Sequence, residues 1–179
     1  MSFPDSTHPF VLSESSCVSL VGMAGSGKST LGKLLAQAMG WAHVDTDQLL
    51  EAFYGAPLSE LLKTLGLERF LEAEGRIAAG VKLNRSVIST GGSVVYSSDA
   101  VHRLRLLGPV VYLEIPKDVF LQRLGDEGQR AFVRPPGMSL EEVYDQRAPL
   151  YERAADFSLD TASAGPEASL EFLLERLGR

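Results

Sequence analysis

Cys17-Val18-Ser19-Leu20-Val21-Gly22-Met23-Ala24-Gly25-Ser26-Gly27-Lys28-Ser29-Thr30 is the stretch on which the fold turns. Its apolar opening reads as a short β-strand, and the residues from Lys28 to Met39 carry a helix-compatible pattern. Between them lies G-x-x-x-x-G-K-[ST], the loop that cradles phosphates at a strand-to-helix junction. Gly22, Gly25 and Gly27 let the backbone turn sharply and bring its N–H groups, with that of Ser26, against phosphate oxygens. Lys28 supplies a compact positive charge for the outer phosphates, and the Ser29 hydroxyl suits Mg²⁺, with Thr30 completing the motif. The helix that follows adds its positive N-terminal end. A Gly-rich turn matching by accident would not need that strand before it and that helix after it.

The rest of the composition sets bounds. A chain of 179 residues is expected to form one domain and to bury a substantial core unaided. Hydrophobic residues make up 45% and charged residues 22%, ordinary proportions for a globular protein. A net charge of −6 argues against nucleic-acid or membrane-surface binding, both of which reward basic patches. No apolar run is long enough to span a bilayer, and the start lacks a secretory pattern. The single cysteine, Cys17, cannot form an internal disulfide and reads as a small strand residue. A monomer in a reducing cytoplasm is the expectation.

Residues 1–16 read as a loose leader, and 17–179 as the domain. Within it, apolar runs alternate with helical stretches. Strands are expected at Trp41–Val44, Ser86–Ser89, Val110–Ile115 and Phe157–Leu159, besides the first. Helical patterns cover about Gln48–Phe53, Leu58–Leu65, Glu68–Leu83, Ser98–Leu107, a stretch opened by Pro116, Leu140–Ala155 and Leu170–Leu177. This is an α/β chain with three layers, α/β/α, around a central, mostly parallel five-stranded sheet. Ligands on such sheets collect at the carboxyl ends of strands. The loop at Gly22, Asp45-Thr46-Asp47 and Gly91-Gly92 all follow strands, so they converge on one rim.

Asp45 and Asp47 could hold a metal ion and orient an attacking hydroxyl, or simply cap the next helix. Gly91-Gly92 could be a plain turn, or bare backbone that lets a small ligand approach. Residues 125–139 are polar and irregular, too long for a simple connector. Arg130 and Arg134 there, with Arg123 just before, are either solvated or belong to a lid that closes on phosphates. Arg147, just ahead of a helix-distorting Ala148-Pro149, is either structural or faces an anionic substrate.

From Cys17 to Asp160 the chain resembles the shikimate kinases, within the nucleoside-monophosphate-kinase-like group of P-loop proteins. The likeness rests on Gly22–Thr30, Asp45-Thr46-Asp47, Phe70 with Glu74, Thr90-Gly91-Gly92, the strand Val111–Ile115 and Arg147-Ala148-Pro149-Leu150-Tyr151. It implies a P-loop kinase fold with acceptor-binding helices about 46–83 and a lid about 125–139. It also implies an ATP- and Mg²⁺-dependent transfer to a ring hydroxyl of shikimate, in aromatic amino-acid biosynthesis. By similarity, Asp47 contacts that hydroxyl, Asp45 lies near Mg²⁺ with Ser29, and Gly91-Gly92 approaches the substrate. Arg147 then pairs with the substrate carboxylate, and Arg130 is the lid arginine on the phosphates, with Arg134 as its alternative.

Three features depart from the family pattern, all near the acceptor or the lid. Phe70 is followed by Leu71 where the family usually has arginine, Gly91-Gly92 by Ser93 rather than glycine, and Arg130 by Ala131-Phe132-Val133 rather than Pro-Leu-Leu. Losing one charge-assisted contact costs about 1.5–3 kcal/mol. A kinase of the same build acting on homoserine or gluconate is therefore the close alternative. A nucleotide switch or NTPase module is the alternative from another class, though no Asn-Lys-x-Asp guanine-reading motif is present.

Overall fold

A computed structural model describes residues 10–126 and 132–179. Its elements run β1 (Val18–Val21), α1 (Lys28–Met39), β2 (Ala42–Asp45), α2 (Thr46–Tyr54), α3 (Leu58–Gly80), β3 (Ser86–Ser89), α4 (Ser98–Leu107), β4 (Val110–Glu114), α5 (Lys117–Asp126), α6 (Leu140–Ala154), β5 (Phe157–Asp160) and α7 (Pro166–Arg176). A 3₁₀ turn, Val94–Tyr96, precedes α4. The five strands lie in the order β2-β3-β1-β4-β5, and every pairing is parallel. The sheet is thus wholly parallel rather than mostly so.

Strand alternation sorts the core into two layers. Val18 and Leu20 of β1, with Val111 and Leu113 of β4, pack on Leu31 and Leu35 of α1 and Leu173 of α7. Val21, Val110 and Tyr112 point the other way, toward Leu104 of α4, Phe120 of α5 and Tyr151 of α6. Successive side chains leave opposite faces of a strand, so a buried sheet must be apolar at nearly every position. Ser19 of β1 and Ser86 and Ser89 of β3 are buried exceptions, and of these only the Ser19 hydroxyl has no hydrogen-bond partner among the described residues.

A third apolar cluster, Leu50, Leu61, Phe70 and Ala73, holds α2 against α3. The two helices expected at Leu58–Leu65 and Glu68–Leu83 form one element that breaks at Gly66, whose φ of 73° and ψ of 169° are not helical. Glycine adopts that left-handed geometry without the steric penalty a Cβ would bring. The second piece stops at Gly80, short of Leu83. Helix α2 starts at Thr46, two residues before Gln48, because Asp45 caps it by accepting from the Asp47 N–H at 3.0 Å.

The described part of the leader is tied down. The Phe10 N–H donates to the Arg176 carbonyl at 2.9 Å, and its ring centre lies 5.5 Å from that of Phe157. Among the described residues, no helix is long and apolar enough to cross a membrane.

Candidate active site

The phosphate loop lies between β1 and α1 at the carboxyl edge of the sheet. A Cβ at Gly22 would come within 2.5 Å of the Leu113 carbonyl oxygen, so only glycine lets the loop leave β1 beside β4. The Lys28 Nζ donates to the carbonyls of Gly22, at 2.8 Å, and Met23, at 2.6 Å. These contacts hold the ammonium over the loop. Behind the loop, the Ser89 hydroxyl donates to the Lys28 carbonyl at 2.9 Å and is itself 2.9 Å from the His43 Nε2. Since Ser89 gives its proton to Lys28, His43 must donate to Ser89, which fixes the Nε2–H tautomer. Burial first, then Lys33, lowers the His43 pKa against the pull of Asp45.

Ser29, the residue after the lysine, donates its hydroxyl proton to Asp45 Oδ2 at 2.9 Å. Asp45 therefore caps α2 with one oxygen and faces Ser29 with the other. A hydroxyl and a carboxylate side by side are a hard oxygen donor set of the kind Mg²⁺ takes, with water and phosphate oxygens supplying its other ligands. Among the described residues, no three His, Cys, Asp or Glu side chains cluster as an all-protein metal cage.

Beyond the loop opens a cavity of about 250 Å³. Lys28 and Ser29 border it on one side; Asp47, Phe70, Glu74 and Arg147 border it on the other. Phe70 and Glu74 are four residues apart on α3, so they share a helix face. Leu71 does not line this cavity and instead borders a separate groove with Glu72, Arg76 and Tyr96. The floor is β3's continuation. The Gly91 N–H donates to Thr46 Oγ1 at 3.0 Å, and the Thr90 hydroxyl donates to the Leu20 carbonyl at 3.0 Å. A Cβ built on Gly91 would lie 2.0 Å from Glu74 Oε1 and 2.4 Å from Asp47 Oδ1, so the two carboxylates meet over bare backbone.

Glu74 is 3% exposed and accepts a hydrogen bond from the Ser93 hydroxyl. Burial raises its pKa from 4.5 to about 7; Asp47 adds to the rise, while Ser93 and Arg147 oppose it. The sign of the stability effect follows. Between about pH 4.5 and 7 the folded chain holds a proton that the unfolded chain has released, so stability falls as pH rises through that window. The full effect is about 3 kcal/mol. Urea titrations at pH 5 and pH 8 should show Glu74→Gln losing less stability between the two than the parent, by roughly that amount. Parallel losses in both proteins would place the titration elsewhere.

Arg147 is buried to 1% exposure on α6. Its Nε donates to the Tyr96 hydroxyl at 3.1 Å and its Nη2 donates to the Val133 carbonyl. Its Nη1 lies toward Gly92. Arg134, by contrast, is exposed and donates to the Met138 carbonyl at 3.4 Å, away from the cavity lining. Arg130 lies outside the described residues, as does the rest of 127–131 in the lid stretch 125–139. On the far side of the phosphate loop, Arg123 Nη1 donates to the Gly25 carbonyl at 2.6 Å. It borders a second cavity of about 400 Å³, closed by the turn from Thr161 to Pro166.

The sequence pointed to the loop, both aspartates, the glycine pair and Arg147. It did not single out Glu74 as a site group, nor Tyr96, Phe132 or Val133. Glu74 carried one local signal, its four-residue spacing from Phe70. Tyr96 and Val133 carried none, since they reach Arg147 across the fold.

A phosphate loop facing a pocket of two carboxylates and a buried guanidinium defines a phosphotransferase for a small anionic alcohol. The comparisons agree. A sequence model described as shikimate kinase matches residues 24–178. A shikimate kinase of Thermodesulfovibrio yellowstonii is 34% identical over 166 residues, 89% of this chain and 94% of that protein. A crystal structure of shikimate kinase from Bacteroides thetaiotaomicron superposes with a TM-score of 0.75 at 27% identity, covering 92% of this chain and 99% of that one. Shikimate kinase from Acinetobacter baumannii in complex with shikimate gives a TM-score of 0.79 at 25% identity, covering 91% and 93%. The chain belongs to the shikimate kinase family, ATP-dependent kinases that phosphorylate a hydroxyl.

Proposed function

We propose that this protein transfers the γ-phosphoryl group of ATP to a ring hydroxyl of shikimate, giving shikimate 3-phosphate. The observation that carries this reading is the shared cavity: Lys28 and Ser29 on its nucleotide side, Asp47 and Arg147 on its acceptor side. Arg147 pairs with the acceptor carboxylate. Asp47 accepts a hydrogen bond from the attacking hydroxyl and takes its proton as the oxygen–phosphorus bond forms. ADP departs with the bridging oxygen, stabilised by Lys28 and the loop N–H groups. Ser29 and Asp45 would hold Mg²⁺, which supplies charge neutralisation on the phosphates. Arg123 and the turn at Thr161–Pro166 offer the nucleotide's base a slot beside the loop. Phe132 and Val133 border the acceptor cavity and exclude water from it, with Arg130 or Arg134 of the same segment assigned to the phosphates.

One observation favours a second reading, a kinase for homoserine or gluconate: among the described residues, Arg147 is the one guanidinium lining the cavity. Coupled ADP-release assays on shikimate, homoserine, gluconate and no acceptor separate the readings. The expected result is turnover with shikimate at least ~100-fold above the other acceptors, and slow hydrolysis without any. Rapid turnover of homoserine with none of shikimate would overturn the proposal in favour of the second reading. Rapid hydrolysis with no acceptor would overturn it in favour of an NTPase.

A further inference from the structure

Arg147 has five N–H donors in a rigid plane, and the two recorded hydrogen bonds use Nε and Nη2. These atoms form one flank of the guanidinium. That flank faces the Tyr96 hydroxyl and the Val133 carbonyl, whereas Nη1 faces the Gly92 floor of the cavity, 3.5 Å from where a Cβ would stand. Two rings are also close: the guanidinium carbon is 5.1 Å from the Tyr96 ring centre and 5.3 Å from that of Phe132.

The Tyr96 hydroxyl is itself oriented. It donates its single proton to Gln146 Oε1 at 2.5 Å, which leaves a lone pair to receive Arg147 Nε–H. Gln146 must present oxygen rather than NH₂ there, because a phenol accepting from arginine has only its proton left to give. Tyr96 is therefore a directional acceptor aimed at Nε, and its position in the 3₁₀ turn directly after Gly91-Gly92-Ser93 ties it to the cavity floor.

We propose that Tyr96, oriented by Gln146, is a positioning residue that holds Arg147 so that it takes the acceptor carboxylate end-on, through Nη1 and the inner hydrogen of Nη2. The inference rests on the assignment of Arg147 to the acceptor carboxylate made above. Its physical content is preorganisation. A guanidinium already fixed on one flank loses little further freedom on binding, which matters most where a single arginine must hold the carboxylate. Tyr96 thus sets how strongly the pocket distinguishes a carboxylate from an uncharged group in its place.

The test uses Tyr96→Phe, which keeps the ring and removes only the hydroxyl, measured with shikimate and with its uncharged methyl ester. The expected result is a KM for shikimate raised about tenfold, with kcat and the KM for ATP within twofold and the ester's kinetics unchanged. Gln146→Leu, which removes the partner that orients the phenol, should raise the shikimate KM in the same direction. In an Arg147→Lys background, Tyr96→Phe should add nothing further, because its effect runs through the guanidinium. If Arg147→Lys raises the shikimate KM but Tyr96→Phe does not, the positioning role is wrong while the arginine assignment stands. If Tyr96→Phe weakens shikimate and ester equally, or adds fully to Arg147→Lys, its role is structural and the proposal fails. If Arg147→Lys leaves the shikimate KM unchanged, the underlying assignment fails and the proposal with it.

Discussion

Lys28→Ala is expected to abolish measurable turnover with every acceptor. The Lys28 Nζ donates to the carbonyls of Gly22 and Met23, in a loop of the kind whose N–H groups cradle phosphates. Phosphoryl transfer asks little covalent chemistry of the protein, so catalysis lies in positioning and in stabilising charge on the transferring oxygens. Removing one preorganised donor to a developing oxyanion typically costs about 10²–10³ in kcat, and a full positive charge at the leaving oxygen costs at least as much. The loss should fall on kcat and on ATP binding together, and the identity of the acceptor should not matter. Lys28→Arg is not expected to rescue, since Lys28 is only 9% exposed and a planar fork cannot occupy a site shaped for a point charge. Circular dichroism and thermal unfolding control for the two carbonyls that lose their charged donor. Residual turnover within tenfold of the parent would remove Lys28 from the mechanism.

Much of this is legible in the amino-acid sequence, for a physical reason that also explains what is not. The β1–loop–α1 junction and the Asp45 cap are local: strand, glycines, lysine and capping carboxylate lie within a few residues of what they shape. The separation of the Leu58–Leu65 and Glu68–Leu83 helical patterns was equally local, and Gly66 makes the break through its own φ of 73°. The helix layers on both faces of the sheet followed from strands alternating with helices along the chain. By contrast, the acceptor pocket is assembled from contacts between distant segments. Ser93 meets Glu74 across 19 residues, and Tyr96 meets Arg147 across 51. Ser93 could be noticed as a departure from a glycine, but not that its hydroxyl would satisfy a buried carboxylate. Leu71 could be noticed as a missing charge, but not that α3 would turn it toward an outer groove instead of the cavity. The direct Ser29–Asp45 hydrogen bond, between residues 16 apart in the chain, is likewise a product of the fold, although the sequence named both residues for the metal. A linear pattern carries periodicity and capping well; it carries hydrogen-bond partners across layers only through the fold.

Gly91→Ala should cost at least about 100-fold in turnover while ATP affinity stays within about twofold. The added methyl would stand 2.0 Å from Glu74 Oε1 and 2.4 Å from Asp47 Oδ1, inside the contact distance of both oxygens. Neither carboxylate has an easy retreat. Glu74 is held by the Ser93 hydroxyl and is almost wholly buried; Asp47 stands in the first turn of α2, and the Thr46 beside it is pinned to the Gly91 N–H. Relief must come from pushing α2 and α3 apart or from driving Asp47 off the position proposed for it beside the acceptor hydroxyl. Overpacking of this kind costs about 1–3 kcal/mol of stability, so the chain should still fold. A displacement of about 1 Å at the reacting group is enough for a hundredfold loss in rate. The nucleotide side is untouched, because the built methyl meets no atom of the phosphate loop among its nearest neighbours. Gly92→Ala supplies the contrast one residue on. Its methyl would meet Arg147 Nη1 at 3.5 Å and the Tyr151 hydroxyl at 3.7 Å, ordinary van der Waals contacts, so its effect should be far smaller and should fall on the acceptor KM. Steady-state kinetics on both variants, with nucleotide binding measured separately by fluorescence titration, decide the matter. A Gly91→Ala protein retaining kcat/KM within threefold of the parent would mean that Asp47 and Glu74 do not act over this floor at all.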